Sequence, residues 1–285
     1  MSKMSTEPVR HALNGPTMGT RWSALFFAQT GFDPEPVRAA MQAAVDEVDG
    51  QMSTWNPDSD LMRLNAAPVG VWVAAPDRIH AAMTAGRVPA HEAFEIGETS
   101  VRKLVPVDID LNGIAKGYGV DRLANTLRCH GIKAGLVGID GEMRALGLRP
   151  GQKAWTIAVE APDSERRVPH SILTLQDAAV ATSGDYRHWV EVQGRRLSHT
   201  MDPGRGAPML TSPASVTVVA RSCVEADAWA TALMVLGADR GAPLARKHGL
   251  DALFLLRDDD GSTRGVGVGR LFSEEPAAIA SAGER

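Results

Sequence analysis

Asp227 and Thr231 stand four residues apart in Val224-Glu-Ala-Asp227-Ala-Trp-Ala-Thr231-Ala, a helix-like run of mostly small and apolar side chains. On a helix, positions at that spacing share one face, about one turn apart. A carboxylate and a hydroxyl placed so are two hard oxygen donors able to share a small divalent cation. Mg²⁺ in particular is commonly held by few protein oxygens together with substrate phosphate. The pair is therefore a candidate for phosphate chemistry. The same Asp also reads as an ordinary first-turn acid favoured by the helix dipole, and both readings stay open on these residues alone.

A second segment has the composition of an anion-binding turn. Val107-Asp108-Ile109-Asp110-Leu111 alternates like a strand and runs into Asn112-Gly113-Ile114-Ala115-Lys116-Gly117-Tyr118-Gly119. Val120, Leu123, Ala124 and Leu127 then mark a helix closed by Gly131. Glycines let backbone groups approach a ligand, and free amides at a helix start favour anions. The spacing fits neither the P-loop nor the dinucleotide fingerprint, so a plain strand-to-helix turn is the competing reading.

The elements that must position these groups follow from periodicity. A strand is expected over 20–28, after a turn from Gly15 to Gly19. Val37, Met41, Val45, Val48 and Met52 recur every three or four residues and mark a helix opened by Pro34 and Pro36. A short strand over 71–73 and a helix over 77–85 follow, and 89–106 has no period and reads as loop. Strands are expected at 135–139, 155–161, 172–175 and 214–220, with a hairpin of 188–192 and 195–199. A helix over 224–236 ends at Gly237, and 251–256 pairs with 262–268 about Asp258-Asp259-Asp260-Gly261. That acidic turn lacks the later ligands of a calcium loop. Hairpins mixed with helices, without a regular βαβ repeat, give an α+β fold with mixed and antiparallel sheets. One compact domain over 14–272, with room for two lobes, is expected between flexible segments 1–13 and 273–285.

At 285 residues, 44% hydrophobic and 22% charged, the chain can bury a sizeable core. Its net charge of -4, with Lys and Arg scattered, argues against nucleic acid or anionic membrane as a partner. Cys129 and Cys223 are too few for a disulfide scaffold and lack metal-site spacing, so they read as buried thiols in a reducing compartment. The first ten residues carry neither a signal peptide nor a lipidation cysteine, and no window reaches the ~18 apolar residues of a membrane span. A cytoplasmic protein is expected, or a periplasmic one had an export signal been removed.

Six segments, in order, resemble the FAD:protein FMN transferases, the ApbE-like flavin transferases. They are Gly15-Pro-Thr-Met18-Gly-Thr20, Met52-Ser-Thr-Trp55-Asn-Pro-Asp-Ser59-Asp-Leu-Met-Arg-Leu64-Asn65, and Asp110-Leu-Asn-Gly113-Ile-Ala-Lys116-Gly-Tyr-Gly-Val-Asp121. Ala181-Thr-Ser183-Gly-Asp185-Tyr, Ser198-His199-Thr-Met201-Asp202-Pro203 and Ala226-Asp227-Ala-Trp-Ala-Thr231-Ala complete the set. The resemblance implies a T-fold-like α+β architecture that binds FAD and Mg²⁺. It implies transfer of FMN to a Ser or Thr hydroxyl of an acceptor protein with release of AMP, or hydrolysis of FAD in some members.

By the same resemblance, Asp227 and Thr231 are side-chain ligands of magnesium, Gly113 offers a backbone carbonyl, and Ala230 lies close by. Met18, Trp55, Asp110, Lys116 and Met201 sit where the family contacts FAD. An indole at Trp55 could stack on a flavin or adenine ring, or be a core or rim aromatic. Lys116 could meet phosphate as a point charge, or be solvated. His199 is the candidate general base for the acceptor hydroxyl, since an unperturbed imidazole with pKa about 6.5 suits that task. Its structural alternative is an ordinary hairpin histidine. With Asp227 it makes up the expected catalytic pair.

The family normally carries, before its Asp-Leu-x-Gly-Ile-Ala-Lys segment, a stretch of the type Gly-Ala-Phe-Asp, then Gly-Pro-Leu and a Trp-Gly-Phe loop that contribute contacts to FAD. Only the residues between 80 and 106 span that gap here, and Ala93-Phe94-Glu95-Ile96-Gly97 is a faint echo of it. A non-catalytic flavin-binding or regulatory homologue is therefore the alternative expectation.

Overall fold

The structure, a computed structural model, describes residues 7–74, 93–162, 168–185, 189–192, 195–198, 201–202, 207–209, 213–258 and 262–272. The chain divides into two compact units. The first comprises Met1–Ile157, Thr174–Ala181 and Ala220–Ala228, and the second Ala158–Leu173, Thr182–Val219 and Trp229–Arg285.

In the first unit, β1 (Val9–Thr17) and β2 (Thr20–Ala28) form a hairpin in register from Val9↔Ala28 to Thr17↔Thr20. Trp22, Ala24 and Phe26 of β2 are buried at the two-residue period of a sheet with one covered face. β1 was not foreseen: it occupies residues 9–13 of the segment expected to be flexible and part of the expected turn. The turn itself shrinks to Met18-Gly19, both with positive φ (45° and 69°), as a two-residue hairpin requires. Only two residues of β1, Gly15 and Thr17, are buried, so its pattern alone is weak, and pairing with β2 supplies what the pattern lacks.

β2 pairs antiparallel with β6 (Gly135–Ile139), β6 with β7 (Glu142–Leu146), and β7 with the start of β10 (Ala179–Gly184). Helices α1 (Glu35–Met52) and α3 (Asn112–Cys129) pack on this sheet, burying Met41, Val45, Val120, Leu123 and Leu127 with Trp22 and Phe26. All five residues of the predicted α1 stripe are buried. Gly131, at φ 74°, ends α3, and the Ile132 N–H reaches back to Leu127 O at 3.0 Å.

Between those helices the chain builds a smaller layer. Ser59 is fully buried and caps α2 (Asp60–Ala66): its Oγ accepts from the Met62 N–H at 3.1 Å and donates to Ser53 O at 2.7 Å. β3 (Trp72–Ala74), β5 (Ser100–Lys103) and β4 (Phe94–Ile96) pair in that spatial order, and Phe94 and Val101 join Leu61, Leu64 and Leu111 in a second core. Two strands thus stand in the stretch read as loop; they are three and four residues long, too short to display a period. The expected helix over 77–85 lies outside the described residues.

The strand expected over 107–111 is absent, for a specific reason. Asn65 donates its Nδ2 to Ile109 O and accepts the Ile109 N–H on Oδ1, each at 2.8 Å. Buried Lys103 donates to Asn65 O at 2.7 Å. One side-chain amide satisfies both backbone groups of Ile109, so no strand partner is needed.

In the second unit, β15 (Ser215–Ala220), β16 (Asp251–Arg257) and β17 (Thr263–Val268) form an antiparallel meander. β8 (Trp155–Glu160) pairs with β9 (Pro169–Leu175), β11 (Trp189–Val192) with β12 (Arg195–Ser198), and β13 (Met201–Asp202) with β14 (Ala207–Pro208). α4 runs over Cys223–Lys247, its residues up to Ala228 belonging to the first unit, and breaks at Gly237 (φ 68°, ψ 172°), where the sequence placed its end. A second helical run follows, its Gly241 close under the Phe254 ring. Helices set against antiparallel pairs confirm the α+β class. No helix among the described residues is long and apolar enough to cross a membrane. Cys223 is buried and free as expected, whereas Cys129 at the end of α3 is exposed.

Candidate active site

The first half of α3 and the first turn of α4 meet at Gly117. A Cβ there would lie 2.4 Å from the Cys223 carbonyl oxygen and 2.7 Å from Asp227 Cβ, a distance that only glycine tolerates. Gly117 therefore serves a helix crossing. Helix α3 already begins at Asn112, where a glycine-rich turn was expected. Through this contact the Gly117 N–H donates to Asp227 Oδ2 at 2.9 Å. A regular helix would aim that same N–H at the carbonyl four residues back, Gly113.

Asp227 is buried, and burial drives its pKa well above the ordinary carboxyl range, with Glu142 adding to the rise. The Gly117 N–H and Lys116 oppose it. Lys116 Nζ lies 3.0 Å from Asp140 Oδ2 and 3.8 Å from Glu142 Oε1. Burial pushes the Lys116 pKa down, but Glu142 and Asp140 outweigh it and the net shift is upward, so the ammonium stays charged. Asp140 (φ 52°) and Gly141 (φ 120°) form the tight β6–β7 turn that carries both partners. Glu142 is itself pushed up, chiefly by burial, and its Oε2 has no hydrogen-bond partner among the described residues.

Most of the first-unit candidates gather around the start of α3. Met18 is half-buried, its Cε 3.2 Å from where a Cβ on Gly119 would stand. Trp55 is 91% exposed, which excludes the core reading. Its loop is tied to α3 by Asn112 Nδ2, which donates to Thr54 Oγ1 at 3.3 Å. Asp110 is exposed and accepts the Asn112 N–H on Oδ1 at 2.8 Å. Gly113 is partly exposed one turn ahead of Gly117. Asp227, at the crossing, completes this group.

The remaining candidates belong to the second unit. Ala230 is fully buried, and Thr231 Oγ1 lies 3.1 Å from Ser183 Oγ. Met201 starts β13, its backbone in register with Pro208. His199 lies outside the described residues.

Sequence reasoning assigned no role to Asp140, Glu142 or Asp121. Asp121 Oδ1 and Oδ2 accept the first N–H groups of α4, from Cys223 at 2.9 Å and Val224 at 3.0 Å, while Arg144 pairs with the same carboxylate. A signal was present: Asp121 interrupts the apolar stripe of Val120, Leu123 and Ala124, and an acid inside such a stripe needs a partner.

Gly117→Ala is expected to destabilise the protein. Crowding a backbone oxygen costs about 1–3 kcal/mol, against the ~1 kcal/mol of helix propensity regained. Gly119→Ala should cost less, because its nearest neighbours are the side-chain ends of Ile139 and Met18 at 2.9 and 3.2 Å. Thermal melting of the two variants checks the order; equal melting temperatures would remove the steric account of the crossing.

The fold is similar to that of solved flavin transferases. It matches the Pseudomonas stutzeri flavinyl transferase ApbE, apo form, with TM-score 0.82 at 32% identity, covering 94% of this chain and 96% of that one. The Vibrio cholerae flavin transferase ApbE gives TM-score 0.80 at 30% identity, covering 92% and 97%. The ApbE family profile matches residues 18–93 and 76–254, and the chain belongs to the ApbE family.

Among its relatives, the FAD:protein FMN transferase of Vibrio cholerae serotype O1 is 33% identical over 294 residues, covering 87% of this chain and 88% of the relative. That of Escherichia coli K12 is 27% identical over 296 residues, covering 87% and 84%. An alignment of 294 positions that uses 87% of a 285-residue chain must contain gaps on this chain's side. The two profile matches overlap at residues 76–93.

Proposed function

We propose that this chain transfers FMN from FAD to a Ser or Thr hydroxyl of an acceptor protein, releasing AMP, with Mg²⁺ bound. The observation that carries the reading is the buried Asp227 carboxylate, held by the Gly117 N–H at the α3–α4 crossing. It occurs in a chain similar over most of its length to FAD:protein FMN transferases.

The residues present suit a magnesium ion. A desolvated carboxylate whose pKa burial has raised is one that a nearby cation would stabilise in its charged form. Asp227, the Thr231 hydroxyl and the Gly113 carbonyl, the ligands expected from the sequence, would all offer oxygen, the hard donor that Mg²⁺ prefers. The Gly117 N–H, which a regular helix aims at the Gly113 carbonyl, also donates to Asp227 Oδ2. When bound, the metal supplies neutralisation of charge on the pyrophosphate.

FAD is the substrate. Met18, Trp55, Asp110, Lys116 and Met201 are the proposed contacts, with the exposed Trp55 indole free to stack on a ring of the dinucleotide. Lys116, kept cationic by Asp140 and Glu142, contributes positive charge toward the phosphates. His199 accepts the proton of the acceptor hydroxyl as its oxygen bonds to the FMN phosphorus and the phosphorus–oxygen bond to AMP breaks.

The decisive experiment incubates the purified protein with FAD and Mg²⁺, with and without a peptide bearing an acceptor Thr, following AMP and peptide mass. AMP together with a peptide heavier by one FMN is expected. AMP without peptide modification would turn the reading to FAD hydrolysis, and saturable FAD binding with no AMP would turn it to a non-catalytic flavin-binding protein.

A further inference from the structure

In the second unit, the end of β10 is held on both sides of Ser183. Thr182 Oγ1 lies 2.9 Å from Thr217 Oγ1 on β15. Two residues further, Arg257 grips Asp185 through Nη1 to Oδ2 at 3.2 Å and Nη2 to Oδ1 at 2.6 Å. Between these anchors the Ser183 hydroxyl has one direction fixed: its Oγ is 3.1 Å from Thr231 Oγ1. Both residues are half-buried, so the pair is neither sealed in the core nor fully hydrated.

We propose that Ser183 is a positioning residue for the magnesium site, acting through Thr231; the proposal rests on the metal reading given above. A hydroxyl has one proton and two lone pairs. If the Thr231 oxygen presents a lone pair to a cation, its proton must point elsewhere, toward an acceptor. Ser183 Oγ is an acceptor already in hydrogen-bonding range, on a strand end that two further contacts immobilise. It fixes the Thr231 rotor with its lone pairs available, much as the outer partner of a metal-binding imidazole fixes its tautomer. The Asp227 carboxylate needs no such help, since it has no proton to direct when ionised.

The test is a Mg²⁺ titration of thermal unfolding on the full-length protein without FAD, in wild type, S183A, S183T, T182V and D227A. S183A is expected to need about tenfold or more Mg²⁺ for the same rise in melting temperature, the scale on which outer partners of metal ligands act. S183T keeps an acceptor oxygen and should titrate within about threefold of wild type on the same scale. T182V removes the neighbouring hydroxyl contact without touching Thr231 and should titrate like wild type, which separates metal positioning from general loosening of β10. The proposal is overturned if S183A titrates like wild type, if folded S183T is as impaired as S183A, or if T182V shifts equally. A wild type that gains nothing from Mg²⁺, or a D227A that gains as much as wild type, would instead remove the metal reading itself and this proposal with it.

Discussion

Asp227→Asn should abolish flavin transfer and, in the absence of Mg²⁺, make the protein more stable than wild type. Asparagine keeps the shape and an oxygen for the Gly117 N–H, which reaches Asp227 Oδ2 at 2.9 Å in the native protein. What it removes is the charge. Burial, reinforced by Glu142, holds the Asp227 pKa well above the ordinary value. A carboxyl raised in this way contributes stability below its unfolded pKa, about 3.9, and loses it as pH rises through the folded pKa. Near neutral pH the wild type therefore carries a penalty that the amide lacks. The variant's melting temperature should exceed that of wild type at pH 7, by about 2–4 °C per kcal/mol in a domain of this size, and the gap should close toward pH 4.

Magnesium should reverse the order. A ligand that binds only the native state adds about 2.7 kcal/mol at a hundredfold excess over its Kd, and the variant would be denied that gain. The loss of activity should reach at least about 10³, the rate equivalent of several kcal/mol of charge stabilisation. Melting curves at two pH values, with and without Mg²⁺, and an AMP assay decide the matter. A variant less stable than wild type at pH 7 without metal would contradict the cost assigned to the buried charge.

The parts of the fold legible in the sequence are those in which one element carries its own evidence. Val37, Met41, Val45, Val48 and Met52 announced α1 because an amphipathic helix repeats its buried face locally, and all five are buried. The β16–β17 hairpin was legible because its acidic turn follows the apolar run of β16 and precedes a second extended segment. The α3–α4 crossing was half legible: its glycines and Asp227 were singled out, but their meaning as one contact depends on Gly117 and Asp227 meeting across 110 positions of chain.

Wherever a long-range polar contact replaced a local rule, the reading failed. Residues 107–111 alternate as a strand should, yet Asn65 supplies the hydrogen bonds a neighbouring strand would have given Ile109. Nothing local to Ile109 betrays a side chain 44 positions away. Asp140 was likewise read only as the end of the strand over 135–139, and Glu142, which opens β7, was given no element. Their place beside Lys116 follows from the β6–β7 turn lying against α3, a relation that periodicity does not encode.

Asp121 is the residue whose loss should cost most stability, and for reasons that reach the site indirectly. Its carboxylate takes the Cys223 and Val224 N–H groups at 2.9 and 3.0 Å, two of the donors that a helix start leaves without an internal partner. It also neutralises Arg144, whose side chain is 15% exposed. In Asp121→Ala that guanidinium is left largely buried and unpaired, which typically costs about 3–5 kcal/mol, and the lost cap adds about 0.5–2 kcal/mol. The melting temperature should fall by roughly 10 °C or more, since each kcal/mol is worth about 2–4 °C at this size.

Asp121→Asn should fall less, because its oxygen can still accept one N–H. Pairing Asp121→Ala with Arg144→Met should recover part of the loss, because an apolar side chain needs no counter-ion. The cap matters beyond stability because Asp227 is one turn along the helix that Asp121 anchors. Asp121→Ala should accordingly weaken Mg²⁺-dependent stabilisation even at temperatures where the protein stays folded. Melting curves of the three variants, each with and without Mg²⁺, test both parts. A double variant no more stable than Asp121→Ala would mean that the unpaired Arg144 charge is not the main cost.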